Sequence, residues 1–177
     1  MRAFLDRLYD AAGYLAAFFV FAIFVLMIGQ TVARELSVPT RGWDDIAGWL
    51  CAASAFLAMA HTFRRGDFVR VTLLNERLSG STRRTMEIAA LAFGTLFLGY
   101  MSWWALSFVY ESWQFEEKAQ GLIAIPIWIP QSSFVLGAAI FLVAILDELI
   151  KVLRGQKPSY EVAVEERHAR GDFSEDI

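Results

Sequence analysis

The sequence predicts an all-α integral membrane protein: four transmembrane helices, both termini in the cytoplasm (N-in/C-in), and a cytoplasmic interfacial helix between helices 2 and 3. Three observations carry this reading. The first is a set of four apolar stretches without Asp, Glu, Lys or Arg, at residues 11–33, 46–63, 88–110 and 119–146. At roughly 1.5 Å of rise per residue each can cross a hydrocarbon core of about 30 Å, the second only just. The second is the placement of basic residues, which fall in alternate connections. The third is composition: 56% of residues are hydrophobic, with six Trp and fifteen Phe, more than the roughly 45–50% apolar share of a soluble domain. The net charge of −3 then says little about partners, and no nucleic-acid partner is expected. A bilayer offers no water to backbone N–H and C=O groups, so the spans must satisfy them internally as helices, and no period-2 alternation points to a barrel.

The first stretch follows a weakly basic start. Its uncharged run exceeds the 7–15 residues of a signal-peptide core, and no small-x-small cleavage site follows, so it is read as a retained helix. Arg2 and Arg7 precede it, Arg64, Arg65, Arg70, Arg77, Arg83 and Arg84 lie between the second and third stretches, and Lys151, Arg154, Lys157, Arg167 and Arg170 follow the fourth. These are thirteen of the sixteen Lys and Arg residues; Arg34, Arg41 and Lys118 occupy the other two connections. The positive-inside rule therefore puts the termini and the central connection in the cytoplasm, and the first and third connections outside.

The second stretch is rich in small residues, Gly48, Ala52, Ser54, Ala55, Ala58 and Thr62, whose spacing allows close helix approach; Ser133 and Gly137 repeat the pattern in the fourth. Its start carries the sharpest local constellation, Trp43-Asp44-Asp45. An aspartate there is expected to cap free N–H groups while the pair meets the positive end of the helix dipole, with Trp43 in the interfacial aromatic belt. The functional alternative adds a basic group of a partner, with Arg34 and Arg41 as internal counter-charges. Cys51 is the only cysteine and sits mid-span, which excludes an intramolecular disulfide and paired-thiol redox chemistry. His61, at the cytoplasmic end of this span, reads as a packed or interfacial residue rather than a ligand.

In the central connection Phe68, Val69, Val71, Leu73, Leu74 and Leu78 interleave with Arg70, Asn75, Glu76 and Arg77, the pattern of a short helix on the membrane surface, bounded by Gly66 and Ser79-Gly80-Ser81. The third span carries Trp103, Trp104 and Phe108, with Trp113 beyond it. The fourth stretch contains Pro126 and Pro130, and proline is excluded from helix interiors. Its helix is expected to start near Pro130, the span covering about 127–146, with a re-entrant or interfacial approach at 121–128 and Trp128 at headgroup depth. Residues 1–158 thus form a single four-helix transmembrane domain, and the acidic tail at 159–177 is expected to be disordered.

Ionisable groups inside a membrane mark ion or substrate pathways because burying them is costly. Their absence argues against a solitary transporter and for a helper docked on a larger membrane partner. Two other classes stay open. An accessory or anchor subunit of another membrane complex, such as a respiratory one, would want haem- or quinone-binding residues, yet His168 lies in the tail. A membrane-embedded enzyme would want a nucleophile, base and acid in one loop, where the central connection offers only Asp67, Glu76 and basic residues. No catalytic, cofactor, metal or substrate-binding residue is expected.

Arg34 closing the first helix, Gly42-Trp43-Asp44-Asp45 opening the second, then Arg64-Arg65-Gly66, Val69-Arg70-Val71 and Leu73-Leu74 form an ordered series. Glu111-Ser112, Ile125-Pro126-Ile127-Trp128-Ile129-Pro130 and Gly137 continue it. Over residues 34–137 this series resembles the small Q-type (DctQ-like) subunit of tripartite ATP-independent periplasmic (TRAP) transporters. The order, spacing and four-span topology carry the resemblance rather than any single motif. The family's usual pattern has a Glu pair after the tryptophan and a His near the position of Asp67, where this chain has Asp44-Asp45 and Asp67, so no His-specific role carries over. The resemblance implies a small permease subunit in the bacterial inner membrane that scaffolds a large M-type subunit. The complex would import an organic acid, delivered by a periplasmic binding protein, in symport with sodium. It also implies no cofactor for this chain, sodium ions bound by the partner, and Arg34, Trp43, Asp44, Asp45 and Arg70 as partner-interface or helix-cap residues.

Overall fold

The computed structural model describes residues 2–66 and 80–171. They form five helices: α1 (Arg2–Glu35), α2 (Trp43–Arg65), α3 (Gly80–Gln114), α4 (Trp128–Leu153) and α5 (Ser159–Ala169). The first four are long and apolar enough to cross a membrane. The expected interfacial helix of the central connection, and Arg70 with it, lies outside the described residues.

α1 and α3, with 34 and 35 residues, are far longer than the roughly 20 that a bilayer core requires. Each apolar span is extended by a charged turn or two, Arg2 to Asp10 on α1 and Arg83 to Glu87 on α3. α4 runs past its apolar stretch in the same way, to Leu153, and so carries Asp147, Glu148 and Lys151. A helix continues as long as its backbone bonds can propagate, whereas hydropathy stops at the first charge, which is why the apolar stretches are shorter than the helices.

The main helix contacts run in one direction: α1 packs on α2, α2 on α4, and α4 on α3. The spans therefore stand as a row, with α2 and α4 inside and α1 and α3 at the flanks. Small residues set the inner contact. A Cβ added at Gly137 of α4 would stand 2.6 Å from the Phe56 backbone carbon of α2, so only glycine permits this approach. Phe56 and Phe134 cross edge to face at 4.2 Å beside it. Tyr9, Ala12 and Ala16 of α1, Leu57 and Ala60 of α2, and Ile140 and Ala144 of α4 form the main buried cluster. Leu91, Ile145 and Val152 form a second between α3 and α4.

One expectation is corrected. The tail is ordered in its first half: α5 packs on α2, and Tyr160 is buried with its ring against Phe63. Its acidic composition hid the apolar Tyr160 and Val164 and the partners its charges find. The approach to α4 is a tight turn in which Lys118 and Pro126 form an isolated β-bridge, Ala119 N–H reaching Ile125 O at 2.8 Å and Ile127 N–H reaching Glu117 O at 3.0 Å. α4 then begins at Trp128, ahead of Pro130, because a proline in the first turn removes an N–H that had no partner anyway.

Candidate functional site

The acidic pair at the start of α2 organises one end of the row, called here the loop end. Gly42 precedes α2 with φ of 84°, a left-handed turn that glycine adopts without strain. This turn places Trp43 at the first helical position and Asp44 and Asp45 at the next two. Neither aspartate caps its own helix: the N-cap makes no side-chain hydrogen bond, and the capping expectation is corrected. Both carboxylates face other elements instead. Gln30 of α1 donates its Nε2 to Asp44 Oδ1 at 3.0 Å, and the Leu122 backbone N–H donates to Asp45 Oδ2 at 3.0 Å.

Asp45 thus pins the α3–α4 loop over the start of α2. The fit is close enough that a Cβ at Gly121 would stand 2.3 Å from Asp45 Oδ2, and one at Gly42 would stand 2.5 Å from Ile123. Asp44 is exposed and held by a glutamine that is only 4% exposed. Its negative charge still favours the helix N-terminus through the dipole. Trp43 is half-buried and lies against α1, with Cζ3 3.4 Å from where a Gly29 Cβ would be; its ring joins two helices.

Arg34 and Arg41 are exposed, and neither makes an ion pair with Asp44 or Asp45 among the described residues. The expectation that they serve as internal counter-charges is therefore corrected: the loop-end carboxylates are held by neutral donors and make no ion pair among the described residues. Nearby, Ser112 is buried and donates to Glu117 Oε2 at 2.8 Å, closing the turn after α3.

The opposite end, where the termini lie, holds a network that sequence reasoning missed. Glu148, 2% exposed, accepts Lys151 Nζ at 2.8 Å through one oxygen and the Ser159 backbone N–H at 2.8 Å through the other. Lys151 also reaches Asp147 at 2.6 Å and Ser159 Oγ at 2.7 Å. α5 so anchored pairs Glu161 with Arg83 and the Tyr160 hydroxyl with Glu87, both on α3. Arg167 reaches the carbonyl of Arg65 at 2.8 Å, at the end of α2. Arg84 donates to the Val152 and Leu153 carbonyls at 3.3 Å, satisfying the end of α4. On α1, Asp6 holds Arg64 at 2.5 Å, Arg64 lies over the Tyr9 ring, and Asp10 stands 3.4 Å from Nδ1 of His61, itself packed on Gly13. The one available signal was the i, i+3 and i, i+4 spacing of Asp147, Glu148 and Lys151 just past the apolar stretch.

Among the described residues, no three His, Cys, Asp or Glu side chains lie together as a metal site requires. The middle of the row carries no Asp, Glu, Lys or Arg, and Cys51 is exposed on α2. Chemically the molecule offers two structured ends and two apolar flanks.

The chain matches, over residues 23–155, the family model described as "Tripartite ATP-independent periplasmic transporters, DctQ component", roughly three quarters of its length. No curated protein matches it.

Proposed function

The chain belongs to the DctQ component family of tripartite ATP-independent periplasmic transporters, and we propose that it is the scaffold subunit of a sodium-coupled importer of an organic acid. In this reading a periplasmic binding protein delivers the substrate and a large M-type membrane subunit moves it. This chain holds the static part of that subunit in the bilayer. The loop end faces the periplasm and the termini end the cytoplasm. Asp44, with the neighbouring Arg34 and Trp43, offers a surface to a basic group of a partner, and Arg70, in the cytoplasmic connection, is a separate partner-interface residue.

The observation that supports this reading best is the open row. The flanking helices α1 and α3 bury only 11% and 6% of their most apolar windows inside the chain, leaving Phe93, Phe97, Tyr100, Trp103 and Trp104 outward on α3. A row has broad faces for a partner and no interior in which to carry an ion. The division of labour is tested by reconstitution. Liposomes holding this chain alone should take up neither substrate nor sodium, whereas liposomes holding it with the large subunit, supplied with loaded binding protein, should accumulate substrate when a sodium gradient is imposed. Uptake by the isolated chain defeats the scaffold reading.

A further inference from the structure

A groove of about 340 Å³ opens at the termini end, lined by Arg83, Glu87, Leu91 and Gly94 of α3, Ile145 of α4 and Tyr160 of α5. Its walls change character with depth. Arg83 and Glu87 sit in the first turns of α3, in its charged extension; Leu91, Gly94 and Ile145 lie within the apolar span. From Arg83 to Gly94 is about 16 Å along a helix, the depth of one leaflet of a core about 30 Å thick. Gly94 leaves the inner wall open, since a Cβ there would meet Ile145 Cδ1 only at 3.8 Å.

We propose that this groove is a binding site for one phospholipid with a primary-ammonium zwitterionic headgroup, its acyl chain along Leu91, Gly94 and Ile145. The rim's charges select the headgroup. Arg83 is a cation with side-chain exposure of 44%; its guanidinium has five donors, and the pair with Glu161 leaves donors for a phosphate. Glu87 accepts from the Tyr160 hydroxyl, and a carboxylate has further lone pairs for an ammonium N–H. With Glu161 behind Arg83, carboxylates outnumber cations at the rim, which disfavours a purely anionic lipid. A quaternary ammonium carries no N–H to donate to Glu87. The site rests on the four helices spanning a bilayer and not on the scaffold role, so failure of one leaves the other standing.

The test is native mass spectrometry of the full chain released from nanodiscs containing phosphatidylethanolamine, phosphatidylcholine and phosphatidylglycerol in equal amounts. Phosphatidylethanolamine should be retained about fivefold over phosphatidylcholine, the scale of one net hydrogen bond at an exposed rim, with phosphatidylglycerol retained least. Glu87→Gln, which keeps an acceptor for Tyr160, should abolish the preference for the ethanolamine lipid over the choline lipid. Gly94→Leu, which fills the groove, should lose bound lipid of every class, while Gly99→Leu, with no heavy atom within 4 Å of its added Cβ, should keep it. Equal retention of the three lipids, preference for the glycerol headgroup, or full retention by a folded Gly94→Leu protein would each overturn the proposal. Should Gly94→Leu fail to fold, Glu87→Gln decides alone: an unchanged headgroup preference sinks the site.

Discussion

The two ends of the row are built from the same materials and joined differently. At the termini end Glu148 with Lys151 and Arg83 with Glu161 pair charges across α3, α4 and α5, while Arg84 and Arg167 donate to the last carbonyls of α4 and α2, with Glu148 almost wholly enclosed. At the loop end two carboxylates are held by an amide and a backbone N–H, with no cation in reach among the described residues. Among the described residues the termini end pairs Glu148, Asp147 and Glu161 with cations of the same chain. The loop end keeps unspent negative charge on Asp44, as a surface meant for another molecule would. One end is a clasp and the other an offer.

The all-or-none prediction concerns which compartment each end faces, since the thirteen-to-three division of basic residues puts the clasp inside. In a Cys51→Ala background, a membrane-impermeant thiol reagent added to intact spheroplasts should modify Ser37→Cys and Gln120→Cys at the loop end and spare Thr82→Cys and Glu166→Cys. The reverse pattern inverts the assignment, and labelling at all four positions contradicts the four-span topology.

The largest energetic effect is expected inside the clasp. Glu148→Ala leaves Lys151 with Asp147 as its one carboxylate partner and the Ser159 N–H without its acceptor; removing one partner of a buried charged pair costs about 3 kcal/mol. Glu148→Gln, which can still accept from Ser159, should lose less. Chemical unfolding in detergent gives the ranking, and limited proteolysis gives its location: α5 should become cleavable in Glu148→Ala. An α5 that stays protected would show that Tyr160 and Arg167 hold it without the buried carboxylate.

Between the ends, Gly137→Ala should cost about 1–3 kcal/mol by pushing α4 off the Phe56 backbone. Gly48→Ala on α2 should cost nothing of that size, because no heavy atom lies within 4 Å of its added Cβ. The same unfolding assay compares them, and equal losses would mean the row is not held at its middle by that close approach.

Hydropathy made the four spans legible, because a bilayer leaves an uncharged run of about 20 residues few other fates. The row was not legible. Which helix faces which depends on shape, and Gly137 against Phe56 looks in sequence like any other small residue near an aromatic. Composition misjudged the tail: Glu161 and Arg167 read as solvated charges until Arg83 and the Arg65 carbonyl, far away in sequence, stood opposite them. Trp43, Asp44 and Asp45 were legible as a constellation at a helix start and misread as a cap. The left-handed Gly42 sets the angle at which α2 begins, and with it whether those carboxylates meet their own helix or its neighbours.

The smallest stability effects and the most informative functional ones belong to that pair. Asp45→Ala removes the acceptor of the Leu122 N–H; because Leu122 is exposed, water takes over and the loss should be about 1 kcal/mol. Asp44→Asn keeps an acceptor for Gln30 and should stay within about 0.5 kcal/mol of the parent. If the loop end is an offer, these nearly silent changes are the ones that matter to a partner. The Asp44→Asn, Asp45→Asn double variant should insert and fold normally yet lose co-purification with the large subunit or the binding protein, and uptake with it. Gln30→Leu, which leaves both charges but frees the Asp44 carboxylate from its tether, should reproduce part of that loss and add little once Asp44 is already alanine. Intact co-purification and normal uptake in the double variant would make the loop end a second clasp of weaker bonds, and the asymmetry between the two ends would then concern stability alone.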